Sequence, residues 1–258
     1  ADDFQRITKR VRSQGKVYDG VHLLRPENIF IGKGAQIKPG VVLDAEAGPI
    51  VIDEEAVIMP QAVIEGPAFI GAGSRIKIAA KIYGSTAIGP MCKVGGEVEG
   101  SIIHGYSNKQ HDGFLGHSVI GSWVNLGADT NNSDLKNNYG NVRVYIDGEW
   151  IDSEKMFVGL TMGDHSKAGI NTMFNTGTVV GVCGNIFGGS FPPKWLPSFV
   201  WGGGAGLQEF DLQKAIDVAR RVKARRKIEL STEEEELIER VFGETRGERE
   251  RLLMLAPA

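Results

Sequence analysis

Ile52, Ile58, Ile64, Ile70, Ile76, Ile82, Ile88 and Val94 follow one another at intervals of six residues, with small and turn-forming residues between them. A helix brings apolar residues to one face every three or four positions, and a strand every two, so neither accounts for this spacing. A chain that runs straight for a few residues, turns a corner and repeats does account for it, with one inward aliphatic on each side. Such a coil cannot bury its apolar face alone and stacks on its neighbours, as in a solenoid. The same interval appears upstream at Ile31, Ile37 and Leu43, slips by three residues through 44–49, and resumes at Ile52. That slip reads as a corner loop. After Val94 the beat lapses for about one coil, then returns as Phe114, Ile120 and Leu126, and again as Val158, Asp164, Ile170, Thr176 and Val182. Gly32, Gly71, Gly89, Gly121, Gly159 and Gly177 follow many of these positions, where a corner is expected to need φ values that other residues resist.

The chain has 258 residues, enough for one elongated domain with an appendage, and a net charge of −3 that leaves no basic footprint for nucleic acid. No apolar run approaches the roughly 20 residues that span a bilayer. Two cysteines, Cys92 and Cys183, make no disulfide framework, so small buried hydrophobes in a reducing cytoplasm are expected. Residues 1–20 read as the stub of a preceding domain, with 2–12 resembling an amphipathic helix. The solenoid is expected over 21–206. Residues 207–258 read as helices: Asp211 caps one running to about Arg226, and Ser231 with Glu234 forms a capping box for another. Residues 131–156 leave the six-residue frame. There Val142, Val144 and Ile146 alternate before Asp147-Gly148, the pattern of a hairpin with a type I′ turn. Phe187–Gly204, rich in aromatics and prolines, reads as an irregular strap over the open end of the coil.

The six-residue pattern resembles the hexapeptide-repeat family. The fold class implied is mainly β: a left-handed parallel β-helix, carrying the hairpin excursion and a C-terminal α-helical appendage, with a homotrimer as the assembly. Three of the five histidines, His104, His111 and His117, fall in the polar stretch 97–134. His-Asp-Gly-Phe-Leu-Gly at 111–116, Val-Ile-Gly at 119–121 and Val-Asn-Leu-Gly-Ala at 124–128 resemble the acyltransferase half of bifunctional sugar-1-phosphate nucleotidyltransferases. Both the N-acetylglucosamine-1-phosphate uridyltransferase type and archaeal thymidylyltransferase relatives are similar. The resemblance implies acetyl-CoA as acyl donor, the amine of a hexosamine 1-phosphate as acceptor, and no metal. It makes His111 the general base, Glu97 the acid that polarises it, and Asn125 a sugar contact. Asn132, Asp134, Arg143 and Lys109 are expected around the substrate, and Ala128, His165, Ile170 and Gly188 along the acyl-CoA. Imidazole, with an ordinary pKa near 6.5, suits proton removal from an amine near neutrality.

This chain departs from the family pattern. Phe114 stands where a tyrosine hydroxyl contacts sugar, Asp129 replaces a glycine, Asp134 an asparagine, and Glu99 a phosphate-holding lysine. A second reading therefore stays open: a trimerisation scaffold with a vestigial acyl site. No glycine-rich nucleotide loop of the pyrophosphorylase type occurs near the start, so this chain alone is not expected to make a nucleotide sugar. A zinc site of the γ-carbonic-anhydrase kind would need three converging histidines. The gaps of seven and six residues between His104, His111 and His117 do not suit it.

Overall fold

The computed structural model describes residues 14–255. The expected amphipathic segment at 2–12 lies outside them. The chain divides into two compact units, Ala1–Ser122 and Trp123–Ala258.

In the first unit short strands wind through three parallel sheets, each strand pairing with the one a full coil away. One sheet stacks Lys16–Val17, Gln36–Ile37, Val57–Ile58, Arg75–Ile76, Lys93–Val94 and Asn108–Lys109. The second stacks His22–Leu24, Val42–Asp44, Val63–Glu65, Lys81–Ile82, Glu97–Glu99 and Phe114–Gly116. The third stacks Ile29–Ile31, Ile50–Ile52, Ala68–Ile70, Thr86–Ile88, Ile102–Ile103 and Val119–Ile120. The coil thus begins by Lys16, inside the stretch expected as a stub. Ile52 through Val94 all point inward and are buried. Each such aliphatic contributes about 1.5–3 kcal/mol on burial, which drives the winding.

Gly177 has the positive φ expected of a corner glycine (62°), but other corners divide their labour differently. Gly32, Gly71 and Gly89 do not have positive φ; the left-handed position is two residues further on, at Gly34 (φ 73°), Gly73 (66°) and Met91 (59°). The first three glycines are there for space. A Cβ on Gly71 would lie 2.5 Å from the Gly89 carbonyl carbon of the next coil, and one on Gly32 2.7 Å from the Glu54 nitrogen. After Val94 the corner shrinks to Gly95-Gly96, yet Val98 and Ile103 keep the inward columns filled, so the coil is shortened rather than broken. Where the beat returns, Leu115 is the inward residue and Phe114 faces out.

The second unit carries its own coils. Asn125–Leu126, Lys167–Ala168 and Asn185–Ile186 stack in one sheet, Asn131–Asn132 pairs with Met173–Phe174, and Thr161–Met162 pairs with Val179–Val180. The inward column is Met162, Ala168, Phe174, Val180 and Ile186, not Asp164 and Ile170, which are exposed at corners. Every position of a hexapeptide repeats at six, so the interval alone does not select the inward one.

The hairpin forms as expected, Arg143–Ile146 against Glu149–Asp152, with positive φ at both Asp147 (49°) and Gly148 (89°). The strap expected at Phe187–Gly204 is more regular than that. Trp195–Leu196 pairs with Val179–Val180, Val200–Gly203 pairs with Asn185–Ile186, and Gly206–Glu209 closes against Val200–Gly203 antiparallel. Continued pairing satisfies backbone groups that a loose strap would leave open.

Three helices follow: α1 (Leu212–Ala224), α2 (Thr232–Glu244) and α3 (Arg246–Leu255). Asp211 caps α1 through the Lys214 N–H, and Ser231 with Glu234 makes the full capping box of α2. Ala215, Ile216 and Ala219 of α1 and Ile238 of α2 pack with Cys183, Phe199 and Phe210, so the helices bury their stripe on this unit's coil. Helix α3 is anchored by Arg249, which is fully buried and lies 4.0 Å from the Phe242 ring. Its guanidinium donates to Glu209 at 2.9 Å.

Candidate functional site

The first unit carries the proposed proton-handling residues. Glu97 opens a strand whose outward positions fall in register with the coils on either side: Lys81 above and Phe114 below. Lys81 Nζ stands 3.9 Å from the Glu97 carboxylate, a partner the sequence did not suggest although its register position could have been read from the frame. His111 lies at the next corner and its side chain is exposed. No hydrogen bond joins it to Glu97 in the single chain; the two are linked through backbone, the Glu97 N–H donating to the Gly113 carbonyl at 3.2 Å. Two residues further along each strand runs an acidic column. Asp44, Glu65, Tyr83 and Glu99 occupy equivalent outward positions on successive coils, and burial together with Glu97, Glu65 and Glu99 pushes the Tyr83 phenol up. This face carries a negative field.

Lys109 is not where a substrate ligand belongs. It occupies the inward position of its strand, is buried, and donates its ammonium to the carbonyls of His111 (2.7 Å) and Gly95 (3.2 Å). A side chain turned into the prism cannot reach a sugar outside it.

The remaining expected residues lie in the second unit. Asn125 faces outward beside Lys167, and Ala128 and Ile170 sit at stacked corners, the Asn171 N–H donating to the Ala128 carbonyl at 2.8 Å. Asp129 has φ 55°, which explains a glycine-like role there: aspartate is among the few residues that adopt the left-handed region readily. Asn132 is a correction of the same kind as Lys109. It is inward, in register with Phe174, and buried within the coil. Asp134 is half-buried and its carbonyl accepts from the Val158 N–H. Arg143 is exposed on the hairpin, its guanidinium donating to the Trp150 carbonyl at 3.0 Å.

His165 is packed rather than open. Its ring stacks parallel on Trp123 at 6.2 Å, and Lys223 of α1, ion-paired with Glu234 of α2, lies over the same tryptophan. Burial, then the nearby Lys167 and Lys223 ammoniums, lower its pKa to about 4, and its Nδ1 is buried with no hydrogen-bond partner among the described residues. Burial also lowers Lys167 to about 8, although its ammonium donates to the His165 and Trp123 carbonyls at 2.7 and 3.0 Å. Gly188 (φ 126°) lines an open cavity of about 700 Å³ together with Phe187, Trp201, Gly206 and Leu253. A second cavity of about 480 Å³ lies between the hairpin and the coil, walled by Tyr145 and Trp195. Among the described residues no cluster of three or more His, Cys, Asp or Glu is arranged to hold a metal ion. Among the described residues no helix is long and apolar enough to cross a membrane.

Sequence comparison finds relatives for these coils. A bifunctional protein GlmU of Synechococcus elongatus is 28% identical over 217 residues, covering 76% of this chain and 44% of that protein. A bifunctional protein GlmU of Methanococcus aeolicus is 33% identical over 173 residues, covering 65% and 41%. The chain thus spans less than half the length of these curated relatives. Among solved structures, a UDP-N-acetylglucosamine acyltransferase from Campylobacter jejuni aligns over 84% of this chain and 83% of that one. Its identity is 12% and its TM-score 0.29, too low to carry an argument. No family model matches.

Proposed function

We propose that this chain, a hexapeptide-repeat domain similar to the C-terminal acyltransferase domain of GlmU-like proteins, transfers an acyl group from an acyl-CoA, acetyl-CoA in the simplest case, to the amine of an amino sugar. The observation that carries the reading is His111: an exposed imidazole at a corner of a rigid coil, one coil removed from the Glu97 carboxylate. Imidazole removes the proton as the amine attacks the thioester carbonyl. Donors along the coil, backbone N–H groups among them, hold the carbonyl oxygen as it gains charge, and CoA leaves as the thiol. The resemblance adds Asn125 as a sugar contact and Ala128, Ile170 and Gly188 as acyl-CoA contacts; of these Ile170 is exposed at its corner and Gly188 lines the cavity with Phe187 and Trp201. His165, which the resemblance also places along the acyl-CoA, stacks on Trp123 with its Nδ1 buried.

The acceptor named by the resemblance is a hexosamine 1-phosphate. Glu99, in column with Asp44 and Glu65, favours an acceptor without a phosphate on that side, since like charges repel. The protein acts as a cytoplasmic homotrimer in this reading. Phe69, Ala87, Ile102 and Val119 form an outward apolar column on the third sheet, a surface suited to a second copy. That column also supports the alternative of a scaffold that trimerises a larger protein. Thiol release from acetyl-CoA separates the two readings. It is measured with glucosamine, galactosamine and their 1-phosphates, comparing wild type with His111→Ala. Turnover lost in the variant supports the enzyme; no His111-dependent turnover with any acceptor leaves the scaffold.

A further inference from the structure

The inward column of the first sheet reads Ile37, Ile58, Ile76, Val94 and then Lys109. Removing an ammonium from water is costly, and an apolar side chain of similar volume at such a position is often equally or more stabilising. The four preceding coils show that an aliphatic fits there. Stability alone therefore does not account for the lysine. What its ammonium does is local: it ties the Gly95 carbonyl of one coil to the His111 carbonyl of the next, at 3.2 and 2.7 Å. Gly96 makes room for this tie. A Cβ there would lie 2.8 Å from the His111 and Gly113 carbonyl oxygens and 2.9 Å from Lys109 Nζ. Glu97 follows directly, bonded through its N–H to Gly113. The corner that carries the imidazole and the strand that carries the carboxylate are thus braced from inside the prism at one point.

We propose that Lys109 is a positioning residue, fixing the His111 corner from within the coil so that the imidazole keeps one orientation towards the acceptor. The proposal rests on the reading of His111 as the base. Its test uses Lys109→Met, which keeps the length and removes the ammonium, and Lys109→Gln, whose amide still donates to a carbonyl. Imidazole resonances of ¹⁵N-histidine-labelled full chain are compared, with His111 assigned from a His111→Gln variant. In Lys109→Met the His111 signal is expected to shift or broaden while those of His22 and His104 stay, with the far-UV circular dichroism unchanged. Turnover in Lys109→Met is expected to fall 10- to 100-fold in kcat with the KM for acetyl-CoA within about twofold of wild type, and Lys109→Gln to recover part of the kcat. An unmoved His111 signal and unchanged kcat would overturn the proposal. So would loss of the coil in both variants, which would make Lys109 a folding element. If wild type shows no His111-dependent turnover, the acyl-transfer reading fails by itself, and the resonances still decide whether Lys109 orders this corner.

Discussion

Gly71 and Gly73 lie two residues apart on one corner, and the fold asks opposite things of them. Gly71 has ordinary backbone conformation, but an added Cβ would meet the Gly89 carbonyl carbon at 2.5 Å, the Pro90 nitrogen at 2.7 Å and the Gly89 oxygen at 2.8 Å. All three are backbone atoms of the next coil, so relief requires moving coils apart in a ladder where the Gly71 N–H already donates to the Ile88 carbonyl at 2.7 Å. Overpacking of this kind costs about 1–3 kcal/mol, and rigid backbone on the other side puts Gly71→Ala at the top of that range. Gly73 has φ 66° and its Cβ would meet only the flexible end of Met91, at 2.6 Å from Sδ. Gly73→Ala should cost about 1–2 kcal/mol for the left-handed conformation, and Gly73→Asn less, since asparagine visits that region. Urea unfolding followed by circular dichroism reads the difference. With a slope of about 2 kcal/mol/M, Gly71→Ala lowers the midpoint by about 1.5 M and Gly73→Asn by less than about 0.5 M. Equal midpoints for Gly71→Ala and wild type, or a larger loss in Gly73→Asn, would refute the division of roles at the corner.

Glu99→Lys should lower the KM for a hexosamine 1-phosphate several-fold and leave the unphosphorylated sugar unchanged; indifference to the phosphate would remove Glu99 from the acceptor site. Arg249→Met leaves Glu209 half-exposed and removes a fully buried cation from between two aromatic rings, so a loss of about 2–3 kcal/mol is expected, with earlier proteolysis near residue 246. Wild-type susceptibility would show α3 held by something else. His165 has a folded pKa near 4 against an ordinary 6.5, so the unfolded chain binds the proton more tightly. The stability it allows is fully present above pH 6.5 and is lost as pH falls towards 4, by about 3 kcal/mol at most. Melting temperature between pH 7 and pH 4.5 should fall less in His165→Phe than in wild type, and parallel curves would contradict the buried neutral ring. Replacing Ile102 and Val119 together by Asp should convert a trimer to monomers by light scattering; a persistent trimer would put the interface on another face.

The coil was legible because isoleucine is both inward and repeated: from Ile52 to Val94 hydrophobicity and interval point to the same position. Where they separate, the reading slips. Asp164 and Ile170 keep the interval but sit on corners, while Met162, Ala168 and Phe174 keep both interval and burial. Phe114 was taken for the inward residue beside Leu115 because both are apolar, and only register with Glu97 and Val98 tells them apart. The caps of α1 and α2 are local side-chain chemistry and so were readable, whereas α3 has no capping signal and is held by Arg249 reaching Glu209 forty residues away. At the candidate site, His111 and Glu97 came from motif resemblance. Lys109 and Asn132 are the residues that sequence misassigns, because polar side chains in a polar stretch read as surface until the register turns them inward.

A crystal soaked with acetyl-CoA tests the central claim most directly. The account predicts the thioester carbon beside the His111 imidazole, with room between them for one amine. Cofactor bound away from that corner, or His111 in open solvent with no acyl group near it, would contradict the account.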